Sequence, residues 1–275
     1  MEGQSKNLPS VGILGCGWLG FPFAKTLIEL GVHVAGTTTS IDKLGLLGTA
    51  KIQASLFNAG ADKVPKTILD KEILILSFPP KSKSTDGEWY WKAIRDILNQ
   101  IQSSSIKKVI LISSTSVYPE TPGEVSEEYE LNIRNTGNSG LYLAEKCVLE
   151  AKIPAYVLRF GGLTGGNRLL AKHFAGKTNL KNGNFPVNLV HLDDAISILC
   201  SFLLTDFETG VFNICSPIHP SKKELYTNDC RRFNLPLPGY SDDENSGKKI
   251  FVKKLLDTTG YQFKFPDPLT YNYTI

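Results

Sequence analysis

The sequence has few of the groups that hold metals or crosslink chains. Its five cysteines include no Cys-x-x-Cys pair, and their odd number indicates reduced thiols in a reducing compartment rather than a disulfide framework. The four histidines are scattered along the chain, so we predict no metal site. The N-terminus lacks the basic start and apolar core of a signal peptide, and the apolar stretch at residues 11–36 is interrupted by Lys25 and Glu29. These absences predict a cytoplasmic protein with no membrane partner.

A strong charge bias is also missing. The 275 residues carry a formal net charge of +3, and acidic and basic residues alternate over most of the chain, so we expect no nucleic-acid partner. Hydrophobic residues make up 41% of the chain and charged residues 21%, which excludes extensive disorder, collagen-like repeats and a coiled-coil rod. A chain of this length can form one large α/β domain with an appended lobe, or two modest domains.

Short β-rich runs alternate with helical patterns in the first half of the chain. Strands are predicted at residues 11–14, 33–37, 73–77, 109–113 and 155–160, with helices after Gly17, at residues 89–102 and at residues 141–151. A further strand and helix are predicted at residues 188–204, followed by a strand at residues 211–215. In the helix at residues 89–102, one buried stripe is predicted, comprising Trp91, Ile94, Ile97, Leu98 and Ile101. The alternation predicts an α/β fold with a doubly wound parallel sheet of the Rossmann type.

The domain organisation follows from where this alternation weakens. We predict a dinucleotide-binding domain at residues 1–160, to which residues 187–217 return, and a small C-terminal substrate-binding lobe made of residues 161–186 and 218–275. The polar, acidic stretch at residues 119–140 is predicted to be a loop at the carboxyl edge of the sheet, where open α/β folds bind ligands.

A glycine-rich turn, Gly-Cys-Gly-Trp-Leu-Gly, follows the first strand and opens a helix. Its glycines are Gly15, Gly17 and Gly20, with Trp18 and Leu19 between the last two. Glycines permit the tight turn and let backbone N–H groups approach a pyrophosphate at the positive end of the helix. The pattern predicts a dinucleotide site, although methyltransferases and flavoproteins use similar turns.

The end of the second strand carries hydroxyl groups where NAD-preferring sites usually have an acid. Thr37 is followed by Thr38, Thr39 and Ser40, and then by Lys43. A carboxylate would repel a 2′-phosphate, whereas hydroxyl groups and an ammonium could bind it, so NADP is favoured over NAD. The alternative is a plain polar turn, since no arginine is present to clamp the phosphate.

A tyrosine and a lysine, Tyr142 and Lys146, lie four residues apart in a predicted helix. At this spacing their side chains share one face of the helix. The pair could be a simple surface contact. However, the helix follows the segment at residues 109–118, whose hydroxyl cluster ends a strand at the edge where ligands bind. This context favours a catalytic pair.

In the order of these motifs the sequence resembles the short-chain dehydrogenase/reductase family, in particular its extended class of nucleotide-sugar epimerases, dehydratases and reductases. The resemblance covers most of the chain. It rests on the glycine turn, the Ser-Ser-Thr-Ser-Val-Tyr segment ending at Tyr118, the Tyr142 and Lys146 pair, the Leu-Arg-Phe-Gly-Gly run around Arg159, and Val-His-Leu-Asp-Asp at residues 190–194. Trp18 stands where extended members usually have their third glycine.

The resemblance implies a catalytic site. Ser114 would orient the substrate oxygen. Thr115 would contact the substrate and is the alternative candidate for the role of Ser114. Tyr142 would exchange a proton with the substrate oxygen while hydride moves to or from the nicotinamide. A free tyrosine has a pKa of about 10, and a nearby ammonium such as that of Lys146 stabilises the phenolate. Lys146 would also hydrogen-bond the nicotinamide ribose. Further cofactor contacts are implied at Phe78, Pro79, Pro80 and Phe160.

Two groups of charged residues remain in the second half of the chain. Residues 161–190 contain Arg168 and other basic residues but no acid, which suggests an anionic substrate or, alternatively, a solvated basic face. His191 is interpreted as supporting the return to the sheet, and one of Asp193 and Asp194 as the cap of the helix that follows.

The function that the sequence favours is an NADP-dependent oxidoreductase or epimerase/dehydratase acting on a hydroxyl or carbonyl of a small, anionic or sugar-like molecule. One alternative is an NADP-binding sensor or scaffold without turnover. Another is a hydroxyacid dehydrogenase, which would need a separate helical domain that the sequence does not show. Helices of this fold often pair between copies, which makes a homodimer one expectation.

Overall fold

The computed structural model describes residues 8–80, 88–242 and 246–274, which form eleven β-strands and eight α-helices. The strands are β1 (Val11–Leu14), β2 (Val34–Thr38), β3 (Gln53–Leu56), β4 (Ile73–Leu76), β5 (Lys108–Ser114), β6 (Gly123–Val125), β7 (Ala155–Phe160), β8 (Gly162–Thr164), β9 (Leu189–His191), β10 (Gly210–Ile214) and β11 (Lys248–Ile250). The helices are α1 (Gly20–Glu29), α2 (Asp42–Thr49), α3 (Lys66–Leu69), α4 (Glu88–Ile101), α5 (Ser139–Leu149), α6 (Leu192–Leu204), α7 (Lys222–Arg232) and α8 (Lys253–Thr259).

The central sheet has seven strands in the order β10-β7-β5-β4-β1-β2-β3. β1 pairs in parallel with both β2 and β4, and the pairs β2–β3 and β4–β5 are also parallel. The chain therefore starts in the middle of the sheet, proceeds to β3 at one edge, and returns to β4 on the other side of β1. This reversal places helices on both faces of the sheet and opens a crevice at the carboxyl ends of β1 and β4. The predicted doubly wound α/β fold is confirmed.

The inner strands β1, β2 and β4 are buried on both faces. Every residue of β1 and β4 is buried, and so is every residue of β2. A parallel sheet covered on both faces needs such continuous apolar runs, because neither side of the strand meets water. The edge strand β3 differs, since Gln53 and Leu56 at its ends are exposed.

The predicted strands and helices are present within two residues of their expected bounds. The elements that the sequence analysis did not predict are the helices α2, α3, α7 and α8 and the strands β3, β6, β8 and β11. β3 lacks an apolar run, and α2 contains Gly45 and Gly48, which disfavour a helix. α7 is strongly polar, with four of its eleven residues buried.

The buried stripe of α4 is rotated by about one residue from its predicted position. Tyr90 and Ala93 are buried together with the predicted Ile94, Ile97 and Ile101, as the helical spacing requires. The other two predicted members, Trp91 and Leu98, are half-buried. The Trp91 ring instead lies under a cation, with the guanidinium carbon of Arg95 4.7 Å from the ring centroid.

By residue contact the chain divides into two compact units. The first unit comprises Met1–Ser113, Asn138–Leu158 and Leu199–Val211, and the second comprises Ser114–Gly137, Arg159–Ile198 and Phe212–Ile275. Residues 114–137 thus belong to the second unit, although the sequence analysis assigned them to the dinucleotide-binding domain. The reason is β6, which pairs in parallel with β11. The functional assignment of the two parts of the chain stays a prediction.

Within the second unit, α6 anchors the C-terminal segment. The Asp194 carboxylate is fully buried and accepts hydrogen bonds from Tyr261 Oη at 2.8 Å, Lys264 N at 2.8 Å and Phe265 N at 2.9 Å. This role differs from the helix cap that the sequence suggested for one of the two aspartates. The buried His191 ring accepts a hydrogen bond from Asp193 N at Nδ1, and its Nε2 lies 3.3 Å from the Asn272 carbonyl oxygen. His191 is therefore in a structural position, between the start of α6 and the C-terminal segment.

Candidate functional site

The turn between β1 and α1 requires glycine at two positions. Gly15 has a φ of +106°, and a Cβ atom there would lie 2.7 Å from the carbonyl oxygen of Ser77, just after β4. A Cβ atom at Gly20 would lie 2.3 Å from the Gly15 carbonyl oxygen. Any side chain at these positions would force backbone segments apart. The turn is therefore packed directly against the end of β4.

Gly17 has a different reason to lack a side chain. It is exposed, and nothing lies within 4 Å of the position its Cβ atom would take. The fold itself therefore does not demand glycine here. An open backbone at this point leaves room for a ligand to approach the N–H groups closely.

The N-terminus of α1 adds a favourable field for an anion. Leu19, at the helix start, makes no side-chain capping hydrogen bond, and the first turn contains no acidic residue. The first N–H groups of a helix carry partial positive charge, which favours a pyrophosphate. Trp18 is half-buried and Leu19 is buried, so the two residues between the glycines form part of the wall of the turn.

Two threonine hydroxyls at the end of β2 hold the local backbone. Thr37 Oγ1 accepts a hydrogen bond from Gly15 N at 3.0 Å, which ties β2 to the glycine turn. Thr38 Oγ1 accepts a hydrogen bond from Ser40 N at 3.1 Å, which shapes the start of the following loop. These two hydroxyls therefore hold the glycine turn and the loop after β2 in position.

The residues after them present polar groups to the outside. Thr39 is exposed, Ser40 is half-buried, and Lys43 is exposed in the first turn of α2. Asp42 precedes Lys43 and is the acidic residue of that turn. The end of β2 thus offers hydroxyls and an ammonium, with one carboxylate on the adjacent helix.

A pocket of about 200 Å³ opens beside this turn. It is lined by Gly15, Thr37, Thr38, Thr39, Phe57, Asn58, Ala59, Phe78, Pro79 and Trp89. Five of the predicted cofactor residues therefore surround one cavity, namely Gly15, Thr38, Thr39, Phe78 and Pro79. Its lining combines aromatic rings with hydroxyls and one amide, which suits a flat aromatic base.

The wall formed by Phe78 is held by the start of α4. Phe78 packs edge-on against Trp89 and Tyr90, with ring centroids 6.4 Å and 5.7 Å apart. Such edge-to-face contacts fix the ring orientation. Pro80 follows Pro79 and lies outside the lining, as do Ser40 and Lys43.

Sequence reasoning missed Phe57, Asn58, Ala59 and Trp89. The first three follow β3, a strand that was not predicted, so their position at the carboxyl edge of the sheet was not recognised. The signal that could have placed them is the Phe57-Asn58 pair about twenty residues after Thr38, one βα unit along a Rossmann sheet.

Cys16, inside the glycine turn, is not a nucleophile. Its side chain is buried next to Gly36, and burial raises the pKa of its thiol to about 12. The thiolate is the reactive form of cysteine, so this residue remains inert at neutral pH.

The predicted catalytic pair lies on α5, in the first unit. Asn138 caps this helix by accepting a hydrogen bond from Leu141 N at 3.0 Å. Tyr142 is half-buried. The Lys146 side chain is 58% exposed, and its Nζ lies 3.8 Å from a carboxylate oxygen of Glu150. An exposed pair of this kind contributes little energy, so the Lys146 ammonium is free to leave it for another partner.

A buried carboxylate lies between the two predicted catalytic residues in sequence. Glu145 is 2% exposed and accepts a hydrogen bond from the hydroxyl of Ser113 in β5. Glu145 also raises the pKa of the fully buried Tyr90, in addition to the larger effect of desolvation. The bond between Ser113 and Glu145 links α5 to the end of β5.

The remaining predicted site residues lie in the second unit. Ser114 ends β5, and its Oγ accepts a hydrogen bond from Ser116 N at 3.1 Å. Thr115 and Phe160 are buried, and Arg168 is exposed with the pKa of its guanidinium lowered by partial desolvation. The convergence of Ser114, Tyr142 and Lys146 on one substrate stays a prediction.

In the described part of the chain, no cluster of three or more His, Cys, Asp or Glu side chains is arranged to hold a metal ion. Among those same residues, no helix is both long enough and apolar enough to cross a membrane.

Comparison with known proteins shows the family of the chain. No family model matches it. Protein YeeZ from Escherichia coli K12 is 30% identical over 272 residues, covering 95% of this chain and 98% of that protein. The chain belongs to the YeeZ family.

Solved structures match the fold of this YeeZ-family chain over almost its full length. A putative NAD-dependent epimerase/dehydratase from Methylobacillus flagellatus is 20% identical with a TM-score of 0.75, covering 96% of each chain. UDP-glucuronic acid 4-epimerase from Bacillus cereus, in complex with NAD, is 17% identical with a TM-score of 0.74, covering 95% of this chain and 96% of that one. WbmG from Bordetella bronchiseptica, in complex with NAD, is 15% identical with a TM-score of 0.77, covering 97% and 93%. The resemblance to the extended short-chain dehydrogenase/reductase class is confirmed at the level of the fold.

Proposed function

We propose that this YeeZ-family chain is an oxidoreductase or epimerase of the extended short-chain type, using a nicotinamide dinucleotide on a hydroxyl or carbonyl of a small substrate. The observation that carries the proposal is the open glycine turn at the reversal point of the sheet, next to a pocket lined by aromatic rings and hydroxyls. Solved structures with the same fold are named as NAD-dependent epimerases or hold NAD.

The residues of the first unit suit the pyrophosphate and the adenine ring of such a cofactor. The N–H groups at the start of α1, with Gly17 left open, suit the pyrophosphate. The pocket beside them suits the adenine ring between Phe57 and Phe78, and the Asn58 amide carries both a donor and an acceptor for its polar edge. When bound, the nicotinamide supplies hydride transfer.

The preference for NADP over NAD rests on the end of β2. Thr39, Ser40 and Lys43 offer two hydroxyls and a positive charge for a 2′-phosphate, where a carboxylate would favour the ribose hydroxyls of NAD. The solved relatives above are in complex with NAD, so NAD is the alternative that the comparisons favour.

The protein's own residues would handle the proton. Tyr142 would exchange a proton with the substrate oxygen, and Ser114 would hold that oxygen by a hydrogen bond. Lys146 would favour the ionised phenol after leaving Glu150. An anionic or sugar-like substrate is consistent with the relative named as an epimerase of UDP-glucuronic acid.

A non-catalytic NADP-binding sensor or scaffold is the second candidate. The observation that favours it is the position of the Lys146 ammonium, which lies near Glu150 on the outward side of α5. A homodimer also remains a prediction.

The test begins with binding. The purified protein is titrated with NADPH and with NADH, and binding is measured by the fluorescence of the reduced nicotinamide. We expect saturable binding of both nucleotides, with a lower dissociation constant for NADPH. Replacing Thr39 by Asp should weaken NADPH binding by roughly tenfold or more through charge repulsion and leave NADH binding little changed. Lys51→Gln, which also lowers the net charge by one unit at an exposed residue outside the pocket, is the control. Equal binding of both nucleotides before and after Thr39→Asp would contradict the NADP preference.

Turnover separates the enzyme from the sensor. A panel of sugar nucleotides, hydroxy acids and their carbonyl counterparts should reveal activity that Tyr142→Phe abolishes without weakening nucleotide binding. Tight NADPH binding with no activity dependent on Tyr142 would support the sensor instead.

A further inference from the structure

The second unit contains a pocket of its own, away from the glycine turn in sequence. It has a volume of about 210 Å³ and is formed by the segment before β9, the start of α7 and the first residue of β11. Its charged members are Lys222, Lys248 and Glu120, so two positive charges face one negative charge. Its other lining residues are Phe185, Pro186, Val187, Asn188, Leu189 and Tyr226.

Lys248 brings a buried ammonium to this pocket. Its side chain is 8% exposed, and its Nζ donates a hydrogen bond to the Tyr118 carbonyl oxygen at 2.9 Å. Lys248 lies in β11, and Asn188 holds this strand in place. The Asn188 amide nitrogen donates a hydrogen bond to the Lys248 carbonyl oxygen at 2.9 Å, and its amide oxygen accepts one from Ile250 N at 2.8 Å. A buried lysine needs a negative partner, since desolvation makes an unpaired charge costly.

The partner that the chain supplies is an exposed one. Glu120 Oε1 lies 2.9 Å from Lys248 Nζ, but the Glu120 side chain is 69% exposed. Its carboxylate can therefore turn into water at little cost, whereas the Lys248 ammonium cannot leave its place. An external anion could take the position of the Glu120 carboxylate.

A second cation lines the same pocket. Lys222, half-buried in the first turn of α7, has its Nζ 5.0 Å from the centre of the Phe185 ring. This cation–π contact keeps the ammonium over the pocket while leaving its N–H groups available for an anion.

Tyr226 contributes an aromatic ring to the lining of the pocket. The residue is 6% exposed, and its ring stacks on Phe174 with centroids 4.1 Å apart. This stack holds the Tyr226 ring in place as a rigid apolar part of the lining.

We propose that this pocket binds the phosphate or carboxylate group of a small molecule, held by Lys222 and Lys248 beside the Phe185 ring. Within the proposed function this anion would be the acidic end of the substrate. The site itself does not depend on nucleotide binding.

The test uses inorganic phosphate and malonate as probes, each against sodium chloride at equal ionic strength and without nucleotide. Thermal unfolding of the whole chain over a concentration series should show saturable stabilisation by at least one probe, because a ligand of the native state raises the melting temperature. The more strongly bound probe identifies a phosphate or a carboxylate ligand. Stabilisation by neither probe beyond chloride overturns the proposal.

Three variants locate the binding. Lys222→Glu should weaken binding by roughly tenfold or more, because it replaces an attraction with a repulsion. Lys223→Glu makes the same charge change on the adjacent exposed residue and should leave the affinity within about twofold. Glu120→Gln should strengthen binding, because it removes the competing carboxylate.

The pattern across variants decides the outcome. Equal loss in Lys222→Glu and Lys223→Glu would mean diffuse surface attraction and would overturn the site. Weaker binding in Glu120→Gln would equally contradict it. Because no nucleotide is present, failure here leaves the proposed function intact, and failure of nucleotide binding leaves this site intact.

Discussion

Gly17 separates the requirements of the fold from those of a ligand. Since nothing lies within 4 Å of its would-be Cβ atom, Gly17→Ala should fold with stability changed by less than about 1 kcal/mol. The added methyl group would occupy the space that a pyrophosphate needs, so we expect nucleotide affinity to fall roughly tenfold or more. Urea unfolding and nucleotide titration of the same preparations measure the two effects.

Gly45→Ala is the matched control. Gly45 lies in α2 and also has nothing within 4 Å of its would-be Cβ atom. Alanine there should stabilise the helix by about 0.5–1 kcal/mol and leave nucleotide affinity unchanged. Unchanged nucleotide affinity in Gly17→Ala would remove the glycine turn from the binding site.

Asp229 in α7 should make the stability of the second unit depend on pH. Burial raises the pKa of this carboxyl to about 6, although Arg232, with a guanidinium nitrogen 3.4 Å away, favours the ionised form. A carboxyl whose pKa is higher in the folded state stabilises the fold while protonated, and this contribution is lost as the pH rises through about 6.

Replacing Asp229 by Asn removes this titration. The difference in unfolding free energy between Asp229→Asn and the wild type should shift in favour of Asp229→Asn by on the order of 2 kcal/mol when the pH is raised from 4.5 to 7.5. A tenfold change in a proton dissociation constant corresponds to about 1.4 kcal/mol. Asp70→Asn, a change at an exposed carboxylate, should show little difference over the same range. A wild-type to Asp229→Asn difference that is constant with pH would refute the burial argument.

Among the elements, α5 depends on a single capping residue for its start. Asn138 accepts the hydrogen bond from Leu141 N, and this cap sets where the helix that carries Tyr142 and Lys146 begins. Asn138→Ala should cost about 1 kcal/mol of unfolding free energy. Asn99→Ala, in the exposed part of α4, should cost little or nothing because alanine favours a helix interior. Urea denaturation of both variants compares them directly, and equal stability would contradict the capping role.

The elements also show which parts of the molecule a sequence can predict. β1 and β4 were predictable because strands buried on both faces are continuous apolar runs, and the glycine turn was predictable because its constraint lies within one short segment. β3 was missed because it is an edge strand with exposed ends. The pocket residues Asn58 and Trp89 were missed because they meet the glycine turn only through the packing of separate elements.

At the scale of the whole molecule, two adjacent aspartates show how distant segments are joined. Asp193 and Asp194 look equivalent in sequence, and one of them was expected to cap α6. In the structure Asp194 is fully buried and binds residues 67 to 71 positions later, whereas Asp193 is 47% exposed and pairs with Lys264 Nζ at 3.0 Å. Asp194 therefore helps to hold the C-terminal segment within the second unit, together with the hydrogen bonds from Ser216 to Phe265 O and from Arg232 to Tyr271 O.

Asp194→Ala should accordingly release that segment. The substitution leaves two backbone N–H groups and the Tyr261 hydroxyl without their acceptor, which should cost on the order of 3 kcal/mol and expose residues after Gly260 to proteolysis. Asp193→Ala loses a surface ion pair with Lys264 and a 3.9 Å contact with His191 Nδ1, and it should cost less than about 1 kcal/mol. Urea unfolding and limited proteolysis compare the two variants, since both lose one negative charge at neighbouring positions. Equal stability and equal cleavage of the two variants would show that Asp194 does not hold the C-terminal segment.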